Sequence, residues 1–377
     1  MQGDEMDNLK KVIQVGMTRN IGGLETYLMQ QFDAIDDSKL HYDFVNITSE
    51  YDIVYKDKIL NRGSKIYSIC SRHINPIKHY YQWIKLFKDT KGEYDAIVLN
   101  SNSLAYIFPL FAALFFGIPM RVIHSHNAGF EVKINFVRKV VICLNKLLMR
   151  MSATHYLACS QKAGEWMFGK NTQFIIVHNA IDLTPYIFDK EKRYKVREML
   201  KIKNKFVIGH VGRFTYQKNH KKVIDIFKEI CSLNSECLLL LVGDAVGDKS
   251  FFDKAKLQVK ELGIEDKVLF LGMRTDVPDL MQAMDCFLLP SRFEGLGIVG
   301  IEAQAAGLPC FFSDTITKEL AITDLANYIS LNDKPNIWAQ EILKSNTYKR
   351  MNMSEEVRTA GYDIFEEVKK IEKIYMK

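Results

Sequence analysis

The sequence holds no CxxC pair, no apolar run long enough to cross a bilayer, no persuasive Asp-x-Asp loop and no internal repeat or low-complexity segment. Each absence narrows the field. The seven cysteines (Cys70, Cys143, Cys159, Cys231, Cys237, Cys286 and Cys310) are odd in number and mostly sit in apolar runs. Reduced, buried thiols of a cytosolic protein are therefore expected, in place of a zinc ribbon or a disulfide framework. The greasiest stretch, residues 104–118, is broken by Pro109 and Gly117. It falls short of the ~20 residues a spanning helix needs, so a buried helix is expected there. No signal peptide is expected: the first apolar run, residues 12–16, is strand-sized and follows charged residues. The expected location is cytoplasmic. The surplus of positive charge is small, 51 Lys and Arg against 45 Asp and Glu. That excludes the dense basic stripe of a nucleic-acid binder and permits a phosphate, a nucleotide or an acidic membrane surface.

The chain has 377 residues, more than one core of ~250–300 residues accommodates, so two domains are expected. Short apolar segments alternate with helical patterns along its length. Strands are predicted at 11–16, 41–47, 65–68, 96–100, 121–126, 155–158 and 174–177. After a polar, Lys-rich junction at 182–205 the pattern restarts, with strands at 206–210, 238–243, 268–271, 286–289 and 308–313. Such alternation predicts parallel sheets covered by helices on both faces. The expectation is an α/β chain of two doubly wound, Rossmann-like domains facing across a cleft. Their predicted extents are 1–188 and 189–350, with 351–377 forming a helix that crosses back to the first domain.

Ligands of open α/β sheets bind at the carboxyl ends of strands, and four polar constellations fall there. The first is Gly16-Met-Thr-Arg-Asn-Ile-Gly22-Gly23-Leu-Glu25. Adjacent glycines open a helix start to a phosphate, although the spacing is not that of a dinucleotide fingerprint. The second is His124-Ser-His126-Asn127, whose two histidines share one strand face. A satisfied core histidine and the beginning of a zinc site are its competing explanations. The third is Gly212-Arg213-Phe214 followed by Gln217-Lys218-Asn219, two cations in a turn before a helix, suited to an anion. The fourth is Glu294-Gly295-Leu296-Gly297, with Glu302 inside the next helix. A carboxylate buried there needs partners, and the hydroxyls of a ribose or a sugar could provide them.

These residues together resemble family 4 of the retaining GT-B glycosyltransferases, of the bacterial capsule and exopolysaccharide type. The likeness runs through Gly22-Gly23-Leu-Glu25, His124-Ser-His126-Asn127, Ala158-Cys159-Ser160 and His178-Asn179-Ala180-Ile181-Asp182. It continues through Arg213 and Lys218, Leu241-Val242-Gly243-Asp244, and Glu294 with seven residues before Glu302. The resemblance implies that Arg213 and Lys218 hold the donor diphosphate and that Glu302 binds the ribose. It implies that Glu294 contacts the donor sugar, and that backbone around Gly22, Gly23, Gly295, Leu296 and Gly297 meets the phosphates. His126 is the expected histidine at the sugar, with His124 and Asn127 in reserve. No metal or other cofactor is expected, and the nucleotide sugar is a substrate, UDP ahead of GDP. The sequence departs from the family at Gly243-Asp-Ala-Val-Gly247, where Gly-x-Gly is usual, and at Ala180, where Gly is usual.

The implied acceptor is a glycan or lipid-linked glycan. Arg138, Lys139, Lys146 and Arg150 punctuate the apolar residues 136–151. This segment reads equally as a core helix with one basic face or as a helix lying on an acidic membrane. The alternatives to a transferase are another GT-B nucleotide-sugar enzyme, an epimerase or phosphorylase, and a non-catalytic nucleotide-sugar binder.

Overall fold

The computed structural model describes residues 9–19, 22–129, 135–245 and 249–376. Asn20 and Ile21 of the first loop, and Gly247, lie outside the described residues. The chain divides into two compact units. One comprises the chain up to Ile181 together with Ile364 onward, and the other runs from Asp182 to Asp363.

The first unit alternates β1 (Lys10–Val15), α1 (Gly23–Ala34), β2 (Leu40–Asn46), α2 (Lys56–Asn61), β3 (Ile66–Ser68), α3 (Pro76–Asp89) and β4 (Ala96–Ser101). It continues with α4 (Phe108–Phe115), β5 (Met120–Ser125), α5 (Phe136–Ser152), β6 (His155–Ala158), α6 (Gln161–Phe168) and β7 (Ile175–Ile176). Seven parallel strands lie in the order β3-β2-β1-β4-β5-β6-β7. The strands read as near-continuous apolar runs because helices cover both faces. Trp83 and Phe87 of α3 pack into a core with Ile97, Leu99 and Leu110. Several helices start at predictable caps: Asn75, Asn135 and Ser160 each accept a backbone N–H from three residues on.

The second unit contains α7 (Lys190–Met199), β8 (Phe206–Val211), α8 (His220–Leu233), β9 (Cys237–Val242), α9 (Ser250–Glu261), β10 (Val268–Gly272) and α10 (Val277–Ala283). Then come β11 (Cys286–Leu289), α11 (Ile298–Ala305), β12 (Cys310–Ser313), β13 (Ala326–Ile329), α12 (Pro335–Lys344) and α13 (Ser354–Thr359). Its parallel sheet is ordered β10-β9-β8-β11-β12-β13. Every residue of β9 is buried, and its core joins Leu239, Leu241, Phe227 and Trp338.

The last helix, α14 (Ile364–Tyr375), returns to the first unit and packs on α1. It buries Val368, Ile371 and Ile374. Two of its carboxylates are tied into that unit: Glu367 accepts the His178 N–H at 2.7 Å, and Glu372 accepts the Asp36 N–H at 3.1 Å and pairs with Lys39.

Both sheets reverse their winding next to their first strand, between β1 and β4 and between β8 and β11. Those crevices are where such folds place ligands. All seven cysteines are free; five are buried, Cys231 is half-buried and Cys143 is exposed on α5. The greasy stretch at 104–118 supplies α4, which buries Leu110 and Ala113 but leaves Phe111 and Phe115 exposed, so a wholly buried helix is not what forms. Nor is α5 a core helix: only Met149 and Ser152 are buried.

Candidate functional site

In the first unit, β1 is followed by Gly16, whose φ is 133°. A Cβ there would stand 2.6 Å from the Asn100 carbonyl oxygen, so the close approach of β1 to the end of β4 requires glycine. The chain then re-enters at Gly22, the extended N-cap of α1, with no side chain to occupy the helix start. Glu25 in the first turn is buried and accepts the Thr18 hydroxyl at 2.6 Å. Helix starts of this kind offer N–H groups to anions, and here the Glu25 carboxylate folds back over the start, 2.8 Å from where a Gly22 Cβ would stand.

The two histidines lie at the end of β5, their rings 4.0 Å apart, both against Tyr27 of α1. His126 is bracketed by two amides: its Nδ1 is 3.0 Å from Asn179 and its Nε2 is 3.1 Å from Asn100. The Asn100 amide nitrogen is committed to the Val15 carbonyl and to Gln14, so its oxygen faces Nε2. Nδ1 likewise faces the Asn179 side-chain oxygen, and burial pushes the imidazole down to about 4, so the ring is neutral at physiological pH and its single N–H serves one of the two amide oxygens at a time. His124 is driven well below its usual range by burial and then by His126, and its Nε2 has no described partner. Asn127 uses its side-chain oxygen locally, on the Ala128 N–H at 2.8 Å.

In the second unit, Arg213 follows β8 and is exposed, with no ion pair or hydrogen bond among the described residues. Gly212, before it, leaves room for the Lys218 stem, which a Cβ would meet at 2.9 Å. Asn219, in the left-handed region at φ 56°, turns the chain into α8. Its side chain is fixed between the Pro290 carbonyl and Arg292. That seam joins the loop after β8 to the loop after β11, and the Arg292 N–H to Gln217 carbonyl bond of 2.8 Å completes it. Across it Lys218 forms an ion pair with Glu294 at 2.8 Å, while Gln217 donates to the other carboxylate oxygen at 2.9 Å. Gly295 and Leu296 are buried in the loop. Gly297, at φ 85°, is the N-cap of α11, again leaving a helix start without a side-chain cap.

Glu302 sits in α11 and is buried. Burial pushes its carboxyl up to about 7, while the Tyr186 hydroxyl and the Lys218 charge pull in the opposite direction. A carboxylate in that state welcomes further donors, such as hydroxyl groups. Below it, Gln304 is fully used: its amide nitrogen serves the Gly300 and Leu320 carbonyls, and its oxygen accepts from Ile322, Thr323 and the Thr323 hydroxyl. This holds α11 rigidly beneath the Gly-rich loop.

The structure therefore brings Lys218, Glu294 and Glu302 together, and gathers His124 and His126 in the other unit. Sequence reasoning gave no role to Gln14, Tyr27, Asn100, Tyr186, Gln217 or Arg292. Asn179, quoted as part of a motif, was also not assigned a site role. Among the described residues, no group of three His, Cys, Asp or Glu is placed to hold a metal ion.

Comparison with known proteins gives this geometry a context. The family profile described as "Glycosyl transferases group 1" matches residues 192–355, a span that covers Arg213, Lys218, Glu294 and Glu302. EpsF of Bacillus subtilis (strain 168) is 29% identical over 97% of this chain and 96% of its own length. The UDP-Gal:alpha-D-GlcNAc-diphosphoundecaprenol alpha-1,3-galactosyltransferase of Escherichia coli is 26% identical with the same coverage of each chain. The solved structure of Anabaena Alr3699/HepE in complex with UDP and glucose superposes with a TM-score of 0.79 over 97% of this chain and 99% of that one, at 20% identity.

Proposed function

We propose that this chain, which belongs to the group 1 glycosyltransferases and has the GT-B fold, transfers a sugar from a UDP-linked donor to a lipid-linked glycan, with retention of anomeric configuration, in cell-surface polysaccharide synthesis. The chain is an enzyme of the hexosyltransferase class. The observation that carries the finer reading is the meeting of Lys218, Glu294 and Glu302 at the Gly295–Gly297 helix start.

The chemical need is to stabilise negative charge on a departing nucleoside diphosphate. Arg213 and Lys218 supply two positive charges, and the α11 start supplies N–H groups. In the ligand-free state Lys218 is neutralised by Glu294; an arriving diphosphate shares it, and Glu294 is then freed for sugar hydroxyls. Glu302, supported by Tyr186, takes the ribose hydroxyls. Gly22 and Gly23 are assigned to phosphate contact and His126 to the donor sugar, as a neutral imidazole. The acceptor hydroxyl attacks from the face the diphosphate leaves. The glycosidic C–O bond to phosphate breaks, the new C–O bond forms, and the acceptor proton passes to the leaving diphosphate. These groups provide the charge stabilisation a divalent ion supplies elsewhere, so the reading requires no metal.

UDP and the lipid-linked acceptor are supported by two similar proteins: the Anabaena structure holds UDP, and the E. coli enzyme's name carries a UDP-Gal donor and a diphosphoundecaprenol acceptor. The test is UDP release with UDP-sugars and a lipid extract. Acceptor-dependent UDP release, lost in Arg213→Ala, supports the reading. Normal turnover in both Arg213→Ala and Glu302→Ala overturns the site, and release of a free sugar phosphate points instead to a phosphorylase.

A further inference from the structure

The turn between α8 and β9 brings two thiols together. Asn234 ends α8: its N–H returns to the Ile230 carbonyl at 2.8 Å, and its side-chain oxygen accepts the Glu236 N–H at 2.9 Å. That tight reversal sets Cys237, the first residue of β9, against Cys231 in the last turn of α8. Both are free thiols, and the Cys237 S–H donates to the Cys231 sulfur at 3.4 Å. A disulfide holds its sulfurs about 2.05 Å apart, so a modest side-chain rotation brings the pair to bonding distance. The two are not equivalent. Cys237 lies inside the core of the second unit at 1% exposure, and Cys231 packs on that core half-buried. An oxidant in water therefore meets Cys231 first. The Cys237 S–H, and then the Lys267 and Lys228 charges, hold the Cys231 thiol below its usual range against the opposing effect of burial. The thiolate is the reactive form of cysteine. Cys286 and Cys310 are the contrast: both are fully buried, and burial drives their thiols well above the usual range.

We infer that Cys231 and Cys237 form a site of reversible oxidation, at which hydrogen peroxide converts the thiol pair to an intramolecular disulfide. The Cys231 sulfur attacks one peroxide oxygen and the O–O bond breaks. The departing hydroxide takes up the former thiol proton as water, and Cys231 is left as a sulfenic acid. The Cys237 sulfur then attacks the Cys231 sulfur. The S–O bond breaks, and hydroxide leaves with the Cys237 proton as a second water. Two thiols together lose two electrons, and one peroxide is reduced to two waters. A neighbour that resolves the sulfenic acid keeps Cys231 from the irreversible sulfinic step. An external thiol reverses the bond by exchange, entering at the half-buried Cys231. The bond fastens the last turn of α8 to β9, in the helix whose first turn follows Lys218 and Asn219. The inference stands on the thiol pair alone and is independent of the proposed function.

Trypsin tests this directly, because cleavage after Lys228 and Lys249 leaves both cysteines in one peptide, residues 229–249. The folded full chain is treated with hydrogen peroxide, alkylated with iodoacetamide in denaturant, digested and weighed by mass spectrometry. Untreated protein should yield this peptide with two alkyl groups. Treated protein should yield it with none and two hydrogens lighter than the reduced, unalkylated peptide. Dithiothreitol, added after the peroxide, should restore both alkylation sites. In Cys237→Ser the sulfenic acid has no resolving thiol, so dimedone should trap it on Cys231. In Cys231→Ser the same peroxide dose should leave Cys237 open to alkylation. The wild-type peptide decides the matter without either variant. Two alkyl groups on it after the exposed Cys143 has been oxidised overturn the inference. So does a sulfinic acid on Cys231 beside an alkylated Cys237, or a disulfide that joins either residue to a different cysteine.

Discussion

At the residue scale, Arg213 and Glu302 make opposite demands on the fold. Arg213 is exposed and has no described partner, so Arg213→Ala should change stability by less than about 0.5 kcal/mol. Turnover should fall by roughly 10²–10³, as when a stabilising donor to a developing anion is lost. Matched kcat and Tm measurements check both halves. Glu302 is buried with its carboxyl pushed up to about 7. A carboxyl whose folded pKa exceeds its unfolded value leaves the native state holding more protons than the unfolded one. Its favourable contribution is complete below the unfolded pKa and is lost as pH rises toward 7. Glu302→Gln should therefore be more stable than the wild type at pH 8, by up to about 3 kcal/mol, and equal to it near pH 4. Donor affinity should fall in the same variant, and in the wild type it should weaken as pH drops below 7. Calorimetric titrations with UDP at several pH values would show it; unchanged affinity in Glu302→Gln would remove the ribose role. The histidines run the other way. Burial holds His126 near 4, so its contribution is complete above pH 6.5 and is lost as pH falls toward 4. The difference between wild type and Glu302→Gln cancels that background.

At the element scale, two features make sharp predictions. In α14, Ile371 is buried in a helix the first unit recruits from the far end of the chain. Ile371→Ala should cost about 2–5 kcal/mol by denaturant unfolding, a loss comparable to a mutation in the central sheet. Gly243, after β9, has φ 137°, and a Cβ there would collide with the Gly212 carbonyl. Gly243→Ala should thus displace the backbone that carries Arg213, reducing activity as well as stability. Most elements were legible because their physics is local. The strand at 286–289 was read from an apolar run and is found at Cys286–Leu289; α3 and α9 follow their amphipathic period to within a turn. β13 was not anticipated, because Ala326–Ile329 is a half-exposed edge strand without an apolar run. The Glu294 and Glu302 spacing was equally legible, since one loop and one helix start fix it. Their partners were not. Asn100 and Asn179 reach His126 from 26 and 53 residues away, and Tyr186 reaches Glu302 from the start of the second unit. Pairings of that kind are set by sheet order, and no window of sequence contains them. The orientation of α5 was undecided for a related reason: amphipathicity defines two faces without saying which one the core takes.

At the scale of the whole molecule, the chain is built from two parallel sheets, each with its polar residues at the carboxyl ends of central strands. The second unit carries the charge: Arg213, exposed and without a partner among the described residues, Lys218, paired with Glu294, and Glu302, buried with its carboxyl pushed up to about 7. In the proposed function that arrangement takes a ligand with a diphosphate at one end and hydroxyls at the other. Under the same proposal these side chains grip the nucleoside diphosphate without a divalent ion. The direct measurement is isothermal titration of UDP into the enzyme in excess EDTA, for the wild type and for Arg213→Ala. Binding by the wild type in EDTA is expected, with at least a roughly tenfold weaker interaction for the variant, the loss of one charge-assisted contact. Binding that vanishes in EDTA and returns with magnesium, or affinity that is the same in both proteins, would contradict it.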